Sequence, residues 1–184
     1  MTERPILFSG PMVRALLEGR KTQTRRVMKP QPKGMARLDT GGSWPLASGS
    51  EFMRCPYGVP GDRLWVRESW RKADSMTESV FYRADEEWNA GAGWKPSIHM
   101  PRWASRLTLE VTGVKVERVQ EISERDAVAE GMPPSVPDQA TAVEIFEELW
   151  DSINEARGYG WSVNPWVWAL TFRVLPGGGT DGGK

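Results

Sequence analysis

Two long stretches of this chain alternate apolar and polar residues with a period of two, and neither sits in a strand–helix–strand rhythm. Across 106–119, Leu107, Leu109 and Val111 share one face, and Gly113 then shifts the phase to Val114 and Val116, as a β-bulge does. Near the end, Trp166, Trp168, Leu170 and Phe172 alternate in the same way. Ile6, Leu7 and Phe8 read as a short buried strand, and 63–68 as another, with Leu64 and Val66 on one face. Helical signals lie between these strands. Ser9-Gly10-Pro11 opens a helix that Gly19 ends. Ser123 with Asp126 caps a short helix ended by Gly131. Thr141 with Glu144 caps a third, whose apolar face is Ile145, Phe146, Leu149, Trp150 and Ile153. Strands with two or three helices and no βαβ repeat predict an α+β barrel rather than a doubly wound sheet.

At 184 residues the chain fits one domain, 1–175, with a Gly-rich tail at 176–184 expected to be disordered. Two segments interrupt the periodic pattern, near 28–59 and 71–104. The first is rich in Pro, Gly and Ser and reads as a long surface loop. The second is irregular and aromatic. Both are expected to be more mobile than the barrel. Cys55 stands alone, which excludes an internal disulfide, and with His99 the only histidine a His/Cys metal site is not expected. Nothing calls for a cofactor. No apolar run approaches the roughly 20 residues of a membrane span, and 1–8 lacks the pattern of a signal peptide, so the expected location is the cytoplasm and no membrane partner is expected.

Net charge is zero but unevenly placed. Residues 1–37 carry nine lysines and arginines against Glu3 and Glu18, a surplus of seven that the rest of the chain offsets. Such a segment suits contact with phosphate, or else forms a solvated face.

The run Leu17-Glu18-Gly19-Arg20-Lys21-Thr22-Gln23-Thr24-Arg25-Arg26 resembles the signature of ASCH-domain proteins of the PUA-like superfamily. Three further pieces follow in that family's order. They are Pro60-Gly61-Asp62 before a strand, Ile122-Ser123-Glu124-Arg125-Asp126-Ala127-Val128-Ala129-Glu130-Gly131-Met132 as a short helix, and Trp166-Val167-Trp168-Ala169-Leu170-Thr171-Phe172 as a closing strand. With its two insertions the chain is similar to the longer ASCH proteins of phage and prophage genomes. The resemblance implies a PUA-like β-barrel with long loop insertions. It also implies the residues of amidohydrolases that deacetylate N4-acetylcytidine: a lysine, a threonine three positions later and a glutamate on the short helix, here Lys21, Thr24 and Glu130.

In that scheme Lys21 activates Thr24, Thr24 attacks the acyl carbon, and Glu130 protonates the leaving amine. A lysine serves as base only if burial and nearby positive charge lower its pKa, and Arg20, Arg25 and Arg26 supply such charge. Residues three apart in a regular strand point to opposite faces, so Lys21 and Thr24 meet only if the turn at Gly19 carries into the pair. Otherwise Thr24 is a strand residue and Lys21 a solvated charge. The helix dipole at Glu130 suits a group that must hold and deliver a proton. Arg20, Arg25, Arg26 and Lys29 are candidates to bind substrate or nucleic acid, with Tyr82, Trp94 and Trp103 as candidate stacking partners for a base. The expected partners are a nucleoside or modified base, with single-stranded RNA or DNA as a second class. The rival to catalysis is a non-catalytic reader of modified bases or RNA using the same pocket. Ribonuclease activity is a weaker third, because the histidine pair for acid–base cleavage is missing.

Overall fold

The computed structural model describes residues 1–37, 43–46, 52–73, 79–85 and 93–176. One mixed sheet of five strands carries the fold: β1 (Glu3–Leu7), β2 (Gln23–Val27), β5 (Arg63–Arg67), β8 (Thr108–Arg118) and β9 (Trp166–Val174). Its spatial order is β1-β5-β8-β9-β2, parallel only between β1 and β5. With it stand three helices, α1 (Gly10–Leu17), α2 (Glu124–Ala129) and α3 (Ala142–Asn154), which makes the class α+β.

The alternation seen in the sequence is set by what covers each face. Trp168, Leu170 and Phe172 of β9 enter a core with Ile6, Leu64 and Val66. Val167 faces the other way, into a second core with Phe146 and Trp150 of α3 and Ala127 of α2. Both faces of β9 are thus buried over 167–170. The register between β8 and β9 slips between Val111 and Gly113, where the bulge was expected.

Two expectations need correction. The expected barrel is open: among the described residues β1 and β2 are the sheet's two edges and do not pair. What spans the gap is a side chain, Arg26, whose Nη2 donates to the Leu7 carbonyl at 2.6 Å. The two insertions are also more regular than loops. The first contains a hairpin of β3 (Gly34–Arg37) with β4 (Ser43–Leu46), and the second pairs β6 (Trp70–Lys72) with β7 (Val80–Tyr82). Proline and glycine density hid the first, and strands of three residues are too short to show a period. A small third core of Trp70, Met100 and Ala104 lies under the second insertion. The expected disorder of the tail falls on 177–184, outside the described residues. No helix among the described residues is long and apolar enough to cross a membrane.

Helix α2 ends at a place where a side chain would be crowded and strained. Gly131, just past it, has φ +101°, and a Cβ there would sit 3.1 Å from Ala15 Cβ and 3.6 Å from Lys21 Cβ. Gly19 also has positive φ, +72°, but open space around it. Gly131→Ala should therefore cost about 1–3 kcal/mol, and more than Gly19→Ala, in urea melts of the two variants. An equal or smaller loss for Gly131→Ala would mean that α2 sits further from α1 than described.

Candidate functional site

The turn after α1 takes Lys21 out of the alternation of the strand, and both Lys21 and Thr24 line one cavity, with no hydrogen bond between them. Strand β2 begins only at Gln23, so Lys21 is not bound by its alternation. The backbone N–H groups of Arg20 and Lys21 both donate to the Ala15 carbonyl, at 2.9 and 3.0 Å, which folds the segment back on α1. The same segment then serves the end of α2, where carbonyls lack helical partners. Thr22 N–H donates to Ala129 O at 2.8 Å, Lys21 Nζ to Glu130 O at 2.7 Å, and an Arg20 guanidinium nitrogen to Gly131 O at 3.0 Å.

Lys21 Nζ also contacts Glu130 Oε2 at 2.8 Å. The lysine is 1% exposed and the glutamate 3%. Burial pulls the Lys21 pKa below its ordinary 10.5, and nearby Arg26 and Arg25 pull the same way, while Glu130 opposes them. Desolvation is the larger effect, because an ammonium loses several water contacts and regains two acceptors. Thr24 is buried too, and among the described residues its hydroxyl makes no hydrogen bond. Lys21, Thr24 and Glu130 all line one cavity of about 380 Å³, near the lower end of the range for small-molecule sites. It is lined by Leu7 at the end of β1, by Thr24 to Val27 of β2, and by Phe146, Leu149 and Trp150 of α3.

The other candidates divide. Arg26 and Lys29 line this cavity. Arg25 lines it as well, but its guanidinium is 1% exposed and already engaged. Its Nε donates to Glu117 Oε1 at 2.8 Å, its Nη2 lies 2.7 Å from the same oxygen, and its Nη1 reaches Glu130 Oε1 at 3.3 Å. A third carboxylate, Asp126, is 3.4 Å away and accepts from Gln23 at 3.0 Å. Arg25 is thus an internal brace and leaves little for an external phosphate. Arg20 lies outside the cavity, half exposed and paired with Glu18. Tyr82, Trp94 and Trp103 also lie outside it. Tyr82 donates to the Ala104 carbonyl, Trp103 packs edge-on against Trp70, and the Trp94 ring lies under Arg71.

Sequence reasoning missed Glu117, Tyr57 and Arg157. Glu117 sits on an alternating strand at a position that reads as solvent-facing, and it is buried against Arg25, beside Val167, which packs into the core shared by α2 and α3. Tyr57 and Arg157 line the cavity from segments with no periodic signal. A larger hollow of about 920 Å³, lined by Arg4, Phe52, Cys55 and Asp62 among others, offers less chemistry. Asp62 is occupied by the Thr2 and Val59 N–H groups, and burial pushes the Cys55 thiol up, away from the thiolate. Among the described residues no group of three or more His, Cys, Asp or Glu side chains could hold a metal ion.

No protein-family model matches the chain, and no curated protein matches it in sequence. Among solved structures it is similar to an Enterococcus faecalis protein of the family DUF984, with a TM-score of 0.47 and 12% identity over 95% of this chain and 80% of that one. It is also similar to an ASCH domain from Lactobacillus crispatus, with a TM-score of 0.46 and 14% identity over 94% of this chain and 79% of that one. Both likenesses are of fold alone. The α+β class stands on the sheet and helices described above, and the site on its own distances.

Proposed function

We propose that the cavity is the active site of an amidohydrolase that removes an acyl group from the N4 amine of a cytidine-type nucleoside. The observation that carries this reading is a buried lysine of lowered basicity, held against Glu130 at 2.8 Å, on the wall that also holds the unbonded Thr24 hydroxyl. Neutral Lys21 takes the Thr24 proton, and Thr24 Oγ1 bonds to the acyl carbon. The C–N bond breaks and its electron pair stays on nitrogen. The proton taken by Lys21 passes across the short contact to Glu130 and on to the leaving amine. Water then cleaves the acyl-threonine ester, releasing a carboxylic acid and restoring the hydroxyl. Atoms balance as amide plus water giving acid plus amine.

The test is incubation of the protein with a panel of N4-acylated cytidines, following release of cytidine. Turnover of at least one is expected. No release across the panel, with cytidine still bound, leaves the second reading, a reader of modified bases. That reading draws on the same contact, since a lysine already satisfied by a carbonyl and a carboxylate needs no substrate to complete it. A histidine-based ribonuclease draws no support, because His99 is outside the cavity.

A further inference from the structure

Charges around the cavity do not balance. Five lysine and arginine side chains line it, Lys21, Arg25, Arg26, Lys29 and Arg157, against one carboxylate, Glu130. Two of the five are accounted for, Lys21 by Glu130 and Arg25 by Glu117. Arg26, Lys29 and Arg157 have no carboxylate partner among the described residues.

Isolated surface cations are commonly solvated and mean little. These three differ in two respects. They line one concave cavity, where the low-dielectric lining of Phe8, Met12, Phe146 and Leu149 strengthens their field. Arg26 is also held in place and left incomplete. Its guanidinium lies over the Phe8 ring at 5.1 Å, Nη2 is tied to Leu7 O, and Nε is buried with no acceptor among the described residues. Lys29 and Arg157 are exposed, so they stand at the mouth while Lys21 and Glu130 lie buried.

We propose that this half of the cavity is a phosphate site, so that the ligand is a phosphorylated nucleotide whose base reaches Lys21 and Glu130 while its phosphate stays at the mouth with Arg26, Lys29 and Arg157. The Arg157 guanidinium and the Lys29 ammonium, with the donors Arg26 has left over from Leu7 O, suit a phosphate, whose oxygens accept several N–H donors. The inference rests on the cavity taking a nucleoside, as in the reading above, and not on hydrolysis. The phosphate has two sources, the terminal group of a free mononucleotide or the diester of a single strand.

Calorimetric titration with cytidine, cytidine 5′-monophosphate and a short single-stranded oligocytidine separates these. At least one phosphorylated ligand should bind about ten- to a hundredfold tighter than cytidine, as hydrogen bonds to charged groups allow. The advantage should shrink as salt rises. Whichever arm is tighter names the source. In Arg157→Gln with Lys29→Gln, both at exposed positions, most of the advantage should disappear. Arg26→Gln should remove it too, with circular dichroism checking the fold. Equal affinity for all three ligands, no binding of either phosphorylated one, or an advantage that survives in the double variant would overturn the phosphate site. A nucleotide preference that is intact while no acylated cytidine is hydrolysed would sink the amidohydrolase reading and leave the phosphate site standing.

Discussion

Lys21→Ala, Thr24→Ala and Glu130→Gln should each remove most turnover while the protein still folds. Loss of a positioned acid–base group costs roughly 10²–10⁴ in rate, and that is the expected deficit for Glu130→Gln. Glutamine keeps the shape and still accepts from Lys21, but it cannot carry the proton onward, so ligand affinity should change far less than rate. The pH profile adds a sign. Lys21 must be neutral to act as base, and its basicity is already lowered, so the rate should climb with pH along a limb centred below 10.5. Stability has the same sign through this group. Below 10.5 the unfolded chain holds a proton that the folded lysine tends to shed, so this contribution rises with pH across that window. A Thr24→Ala variant nearly as fast as wild type would show that the acyl group is attacked by water instead. A wild type with no turnover and three variants of weakened binding would mark a reader.

The largest effect on stability is expected at Arg25. Arg25 and Glu117 are each 1% exposed at the side chain, and the guanidinium also lies between Glu117 and Glu130. Arg25→Met leaves two buried carboxylates without it, and the partial compensation of Glu117 by Lys115 comes from an exposed side chain. Breaking a buried pair from one side costs about 3–5 kcal/mol. Adding Glu117→Leu should recover part of that, because removing both partners removes the uncompensated charge. Urea midpoints of the single and double variants decide. If Arg25→Met melts like wild type, the guanidinium is no brace and is free to meet a ligand.

The strands and helices of this chain were legible where burial alternates. The closing strand, the bulge at Gly113 and the capped helices at Ser123 and Thr141 each announce themselves through local pattern. The charged core was not legible. Arg25 and Glu117 are polar residues on strands whose neighbours alternate, which ordinarily means a wet face. Only the docking of a helix far along the chain makes that face dry, and no local window contains the information. The same holds for the aromatics of the second insertion. Their abundance is visible, but it does not say that Tyr82 packs on the Trp70–Met100 core, that Trp103 meets Trp70 edge-on, or that Trp94 lies under Arg71. Family resemblance singled out Lys21, Thr24 and Glu130, and three-dimensional packing is needed to see that Arg157 and Tyr57 border the same hollow.

The three successive contacts from residues 20–22 to the carbonyls of 129–131 also tie the lysine's chemistry to the conformational ensemble. A helix of six residues has no standing of its own in water, since too few hydrogen bonds repay its nucleation. It exists while docked. In any excursion that frees it, Glu130 departs with the helix, Lys21 is rehydrated as an ordinary ammonium, and the depressed basicity vanishes. The lowered basicity of this lysine is therefore the property of a population, set by the local closing equilibrium of one short helix, and sequence changes on the buried side of α2 can tune it without touching a ligand.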